Sequence, residues 1–195
     1  MKEVELHIKN MLCSRCVFLV KEELKALGIK VVDIKLGHAT IKKPVRVTQK
    51  QIEQKLKKFD FEILESPDKV LVEQIKHATL DYIRFTEKES RKKQPKHVTL
   101  SEYLSKKVGK EYTNLSKIFS GVEGRTLEKY YIRLRIERVK ELLDDGQLSL
   151  KMIASKLGYS SVQYLSTQFK KETGMKVTEY KEKLNEIERE SLHTI

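Results

Sequence analysis

Residues 153–180 read IASKLGYSSVQYLSTQFKKETGMKVTEY, and the same pattern lies upstream at 104–130 as LSKKVGKEYTNLSKIFSGVEGRTLEKY. Leu115, Phe119, Gly124 and Tyr130 recur as Leu165, Phe169, Gly174 and Tyr180 at an offset of 50, while Lys107-Val108-Gly109 recurs as Lys156-Leu157-Gly158 at an offset of 49. One residue is inserted in the second turn. Each copy reads as a short helix, a Gly-containing turn and a second helix with Leu and Phe four apart facing a core, the form of a helix-turn-helix. Between the copies, TLEKYYIRLRIERVKELLDD (126–145) carries an apolar stripe of Leu127, Tyr130, Tyr131, Leu134, Val139, Leu142 and Leu143. A helix of about eighteen residues is roughly 27 Å long, close to the roughly 34 Å between successive major-groove faces of a duplex. Two recognition helices on one chain can then read one side of DNA without a dimer.

The order of these motifs resembles the double helix-turn-helix DNA-binding domain of AraC/XylS-family transcription regulators. LRIERVKELL (134–143) is similar to the family's linker helix, and 153–180 to its second-unit signature, with coverage from about 70 to 183. Two departures fall in the last helix: Lys176-Val177 replaces the usual Thr-Pro, and Lys181 replaces the Arg after the closing Tyr. The resemblance implies sequence-specific binding of double-stranded DNA, with RNA polymerase as a further partner. Carried over by position, the first recognition helix presents Thr113, Asn114, Ser116 and Lys117, and the second Val162, Gln163, Ser166 and Thr167. Gln163 can pair bidentately with an adenine edge, Lys117 can reach guanine or phosphate, and Val162 and Thr167 can touch thymine methyls. Lys106, Lys107, Lys110, Lys170 and Lys171 suit phosphate oxygens, which position a protein without specifying sequence. For any one of these residues, an exposed polar position on an ordinary helix is the plain alternative.

Upstream of the repeat, SRKKQPKH (90–97) reads as a basic connector, Thr99 and Glu102 as a capping box, and Val70 to about Glu89 as a long amphipathic helix. Ser66-Pro67-Asp68 separates this from an earlier region of different periodicity. There Val4, Leu6 and Ile8 alternate as in a half-buried strand, Cys16, Val17, Val20, Leu24 and Leu27 follow at helical spacing, and VVDIKLG and ATIKK meet at Gly37 and His38 as a hairpin. Thr48 and Gln51 cap another helix, and FDFEIL (59–64) alternates with Phe59, Phe61 and Ile63 inward. The order βαββαβ is the split-βαβ, ferredoxin-like arrangement. The fold class expected is therefore an α+β ferredoxin-like domain followed by an all-α double helix-turn-helix domain. Its parts are 1–66, a helix and linker over 67–97, the DNA-binding domain over 98–185, and a tail over 186–195.

The chain has 195 residues, 40 Lys+Arg against 28 Asp+Glu, and a net charge of +12, which favours a polyanionic partner. Residues 1–66 hold 14 basic and 9 acidic groups and the remainder 26 and 19, so charge does not locate the surface. No apolar run approaches the roughly 20 residues of a spanning helix, and MKEVELHIKN lacks a signal-peptide core, so a cytoplasmic protein is expected. Neither a Ser/His/Asp order, an HExxH motif nor a phosphate-cradling Gly loop is present, and an enzyme is the weakest reading.

The only two cysteines lie three apart in NMLCSRC (10–16). In a reducing compartment such a pair suits a metal or redox site better than a disulfide. Cys13 falls in the loop after the first strand and Cys16 at the start of a helix, where backbone N–H groups and the helix dipole stabilise thiolate. Residues 1–65 resemble the heavy-metal-associated domain of copper chaperones and metal-pumping ATPases, whose Met-x-Cys-x-x-Cys is matched by Met11, Cys13 and Cys16. The resemblance implies a soft metal ion, Cu(I) or Zn(II), on the two Cys, with the Met usually anchoring the loop. An inert or repurposed pair and a redox pair compete with that reading, as does a metal carrier whose helical half docks a partner. As a sensor, the site would change how this domain sits against the helix at 70–89, and hence DNA affinity.

Overall fold

The computed structural model describes residues 2–11 and 13–192. In order these form β1 (Lys2–Lys9), α1 (Ser14–Ala26), β2 (Lys30–Lys35), β3 (His38–Lys43), α2 (Gln49–Lys57) and β4 (Glu62–Ile63). Helices follow to the end: α3 (Pro67–Glu89), α4 (Leu100–Val108), α5 (Tyr112–Glu123), α6 (Leu127–Asp144), α7 (Leu150–Lys156), α8 (Val162–Thr173) and α9 (Val177–Leu192). The expected tail is thus helical to Leu192, and its last three residues lie outside the described ones. The chain divides into two compact units, Met1–Ala78 with Val108–Val122, and Thr79–Lys107 with Glu123–Ile195. None of the described helices is long and apolar enough to cross a membrane.

The first unit contains a four-stranded antiparallel sheet in the order β2-β3-β1-β4. Strand alternation sends Leu6, Ile8, Ala39 and Ile41 to one face, where they pack with Val20 and Leu24 of α1 and Ile52 and Leu56 of α2. Each buried aliphatic side chain contributes about 1.5–3 kcal/mol, so this face organises the domain. The same alternation places Glu5, His7 and, directly across the pairing register, His38 on the opposite face. The hairpin turns at Leu36-Gly37, one residue earlier than expected, with Gly37 at φ 74° and its carbonyl accepting the Ile8 N–H at 2.9 Å.

Thr48 and Gln51 form the expected capping box on α2, with Gln51 Oε1 accepting the Thr48 N–H at 2.8 Å. The strand expected over 59–64 shrinks to Glu62–Ile63, and Phe59 is exposed rather than inward. Its N–H and that of Asp60 still donate to the carbonyls of Leu56 and Lys57, and Asp60 takes a positive φ of 60°. Residues 59 and 60 therefore finish α2 instead of beginning a strand. Pro67 likewise opens α3 rather than merely interrupting the chain, since the first helical position needs no intrahelical N–H donor.

In the second unit, Ile83 of α3 joins Ile136, Val139, Leu142 and Leu143 of α6, Ile153 of α7, and Leu165 and Phe169 of α8 in one core. The Tyr82 hydroxyl donates to the Val98 carbonyl at 2.8 Å. Arg138 Nε donates to Glu87 Oε1 at 2.6 Å, and this hydrogen bond raises the guanidinium pKa further. The apolar stripe of α6 differs from expectation at five positions: Arg135 and Ile136 are buried, whereas Tyr130, Tyr131 and Leu134 are only half-buried.

Candidate nucleic-acid interface and thiol pair

The helix α8 is fixed at both ends. Ser161 Oγ accepts the Tyr164 N–H at 3.0 Å, and Gly174 closes the helix in the left-handed region at φ 79°, its N–H donating to the Lys170 carbonyl. Leu165 and Phe169 are fully buried, so the outward side of α8 is set by packing. Of the expected contact residues there, Gln163, Thr167 and Lys170 are exposed, and Val162 and Ser166 are half-buried. Together with Lys176 of the α9 entry they line a groove of about 570 Å³. Val162 also packs against the second-unit core, so less of it is offered outward than its type suggests.

Two hydroxyls are already engaged: Ser166 Oγ donates to the Val162 carbonyl and Thr167 Oγ1 to the Gln163 carbonyl, both at 2.9 Å. Tyr164, half exposed on the same helix, is not among the expected contacts, although the repeat aligns it with Asn114, which is. On α5, Thr113, Asn114 and Lys117 are exposed and Ser116 is half-buried, again beside fully buried Leu115 and Phe119.

The cations expected at phosphates differ in availability. Lys106, Lys110, Lys170 and Lys171 are exposed, whereas Lys107 Nζ lies 3.4 Å from Asp81 Oδ2 and is partly neutralised within the chain. The Lys176-Val177 departure also has a structural answer. Glu179 Oε2 accepts the Lys176 N–H at 2.8 Å, and Val177 is buried, so α9 starts on half a capping box and an apolar anchor.

Beneath α8, Arg135 is only 8% exposed and its guanidinium lies 3.7 Å from the ring centroid of Tyr159 and 5.1 Å from that of Tyr131. Its Nε and one terminal nitrogen are buried without a hydrogen-bond partner among the described residues, so the tyrosine faces supply the compensation. Burial in turn pushes the Tyr131 hydroxyl up to about 12.

At the other end of the chain, Cys13 is the N-cap residue of α1 with extended backbone, and its Sγ lies 3.1 Å from Cys16 Sγ. Both are free thiols, Cys13 exposed and Cys16 half-buried against the sheet core. Hydrogen bonding from the Cys16 thiol, and then from the Cys16 N–H, lowers the Cys13 pKa. Two sulfurs at a helix N-terminus suit a thiophilic ion, and opening the pair to about 3.7 Å would fit tetrahedral Zn(II) with bonds of about 2.3 Å. Met11, grouped with them from the sequence, is fully buried in the core, so the structure gives it an anchoring place and not a ligand's.

Residues 104–183 match the family model described as a helix-turn-helix domain. The MmsAB operon regulatory protein of Pseudomonas aeruginosa is 27% identical over 101 residues, covering 47% of this chain and 33% of that protein. The chain thus spans about a third of the length of the curated relative it matches. Among solved structures, the C-terminal domain of AraT, a response regulator from Geobacillus stearothermophilus, is 24% identical with a TM-score of 0.45, covering 60% of this chain and 86% of that one. The C-terminal domain of the two-component response regulator yesN from Fusobacterium nucleatum is 28% identical with a TM-score of 0.43, covering 54% and 96%. A DNA-binding transcriptional dual regulator from Escherichia coli K-12 is 21% identical with a TM-score of 0.46, covering 58% and 94%. Residues 104–183 of this chain therefore form a helix-turn-helix domain.

Proposed function

We propose that the chain is a sequence-specific transcription regulator in which α5 and α8 each enter the major groove of duplex DNA. The observation that carries this is the division of α8 into a fully buried side, Leu165 and Phe169, and an exposed one, Gln163, Thr167 and Lys170. Thr113, Asn114, Ser116 and Lys117 are the corresponding residues on α5, and RNA polymerase is the partner of the bound regulator. Selection of bound fragments from a genomic library, followed by nuclease protection, should return a preferred site. Affinity should fall steeply with salt while sequence preference persists. Uniform weak binding to every duplex sinks the proposal.

A second reading concerns the first unit, whose βαββαβ order and strand order support a ferredoxin-like domain. The close sulfur pair favours Cu(I) or Zn(II) at Cys13 and Cys16 as its signal. For a signal to pass, the ion must bind two states of the protein differently. DNA titrations of wild type and of Cys13→Ser/Cys16→Ser, with and without each metal under reducing conditions, should separate only for wild type. Superimposed curves would leave a regulator without this signal.

A further inference from the structure

We propose that Glu5, His7 and His38 form a second metal site, built from imidazole and carboxylate donors and taking a borderline divalent cation such as Zn(II). The site uses no thiol and lies on the sheet face opposite the α1/α2 core, so it is independent of both readings above.

One donor atom from each of the three side chains falls within 4.8 Å of the other two. His7 and His38 are direct partners across the β1–β3 register, with ring centroids 5.2 Å apart and planes inclined by 60°. Glu5 stands two residues before His7 on the same strand, and its Oε2 lies 3.8 Å from His38 Nε2. A tetrahedral site with bonds of about 2.0–2.1 Å needs donors roughly 3.3 Å apart, a contraction within reach of an exposed carboxylate and two ring rotations. The 3.8 Å separation is already too long for a hydrogen bond, so no strong contact has to be broken.

The scaffold holds these side chains at fixed spacing. Gly37 turns the hairpin, and its carbonyl's bond with the Ile8 N–H keeps His38 opposite His7. His38 is half-buried, yet its Nδ1 is buried with no hydrogen-bond partner among the described residues. Desolvation, followed by the neighbouring His38, lowers the His7 pKa and favours the neutral imidazole that ligates metals. Both rings line a cleft of about 210 Å³ completed by Glu73 and His77 of α3, which leaves room for a water or a fourth donor. Lys35 also lines the cleft and opposes a cation, while Glu73 is held by Lys76 at 2.9 Å. Two imidazoles and a carboxylate suit Zn(II), Ni(II) or Cu(II) better than Mg(II) or Ca(II).

The test uses the full chain carrying Cys13→Ser/Cys16→Ser, with Zn(II) titrated against a chromophoric chelator. About one equivalent should still bind. Adding His7→Gln or His38→Gln should weaken uptake by about tenfold or more, and Glu5→Gln by less. Long-range proton–nitrogen spectra of the parent double-Cys variant should show the His7 and His38 ring nitrogens shifting on Zn(II) addition, which needs no histidine substitution. Absence of stoichiometric uptake, unchanged uptake in folded histidine variants, or ring signals that stay put would each overturn the site.

Discussion

The two helix-turn-helix repeats agree inside and differ outside. Leu115 and Phe119 of the first and Leu165 and Phe169 of the second are all fully buried. Outward, Thr113, Asn114 and Lys117 face Gln163, Tyr164 and Thr167 in the alignment. Packing constrains the first set to near identity, since interiors tolerate little change in volume or shape. The second set is free to diverge, and divergence is what two readers of different base pairs need. The duplication also breaks beside the turn, where Lys110 of the first copy stands at the place of buried Tyr159 in the second. The stack of Arg135 on Tyr159 therefore belongs to one repeat alone.

The comparison can be broken most severely at the duplicated phenylalanines. Phe119→Ala and Phe169→Ala should each cost about 3–5 kcal/mol, measured by denaturant unfolding; a cost well under 1 kcal/mol at either would mean that the copies are not equivalent inside. Next, Arg135→Ala should destabilise by about 2 kcal/mol through loss of its tyrosine contacts, with hydrogen exchange accelerating in α7 and α8 more than in α5. On the outward side, Gln163→Ala and Asn114→Ala should each lose about 1–3 kcal/mol of discrimination at separate base pairs, read by binding to a panel of single-substituted sites. Loss at the same base pair would contradict two readers. Lys170→Ala should weaken all sequences alike and flatten the logarithmic salt slope by about 0.9, whereas Lys107→Ala, already paired with Asp81, should change it less.

The smallest effect concerns the caps. Glu102 accepts hydrogen bonds from the Thr99 N–H and hydroxyl, which lower its pKa. Its contribution is complete above the ordinary carboxylate range and disappears as pH falls through the lowered value. Glu102→Gln should remove that part of the acid dependence of stability while keeping helix α4, as followed by circular dichroism across a pH series.

The helical half was legible because its evidence is repeated: the same Leu, Phe, Gly and Tyr spacing appears twice, and burial follows it. The strand order of the first unit was not in the sequence, but the alternation of Val4, Leu6 and Ile8 correctly marked β1. Errors arose where a local pattern met a backbone constraint or a distant partner. Phe59 alternates like a strand residue, yet the left-handed Asp60 ends a helix there. Arg135 reads as a surface charge until Tyr131 and Tyr159, from different elements, cover it. The Glu5, His7 and His38 cluster depends on cross-strand register, which composition does not reveal.

Two hydroxyls of α8 bear on which bases it would choose in the proposed docking. Because Ser166 and Thr167 each give their only hydroxyl proton to a carbonyl one turn back, they can act toward DNA solely as acceptors. In the major groove the available donors are the exocyclic amino groups of cytosine and adenine, while guanine and thymine present acceptors at the corresponding places. In the proposed docking these two hydroxyls favour amino-bearing edges, and selecting a keto edge through either would first require it to let go of its own backbone.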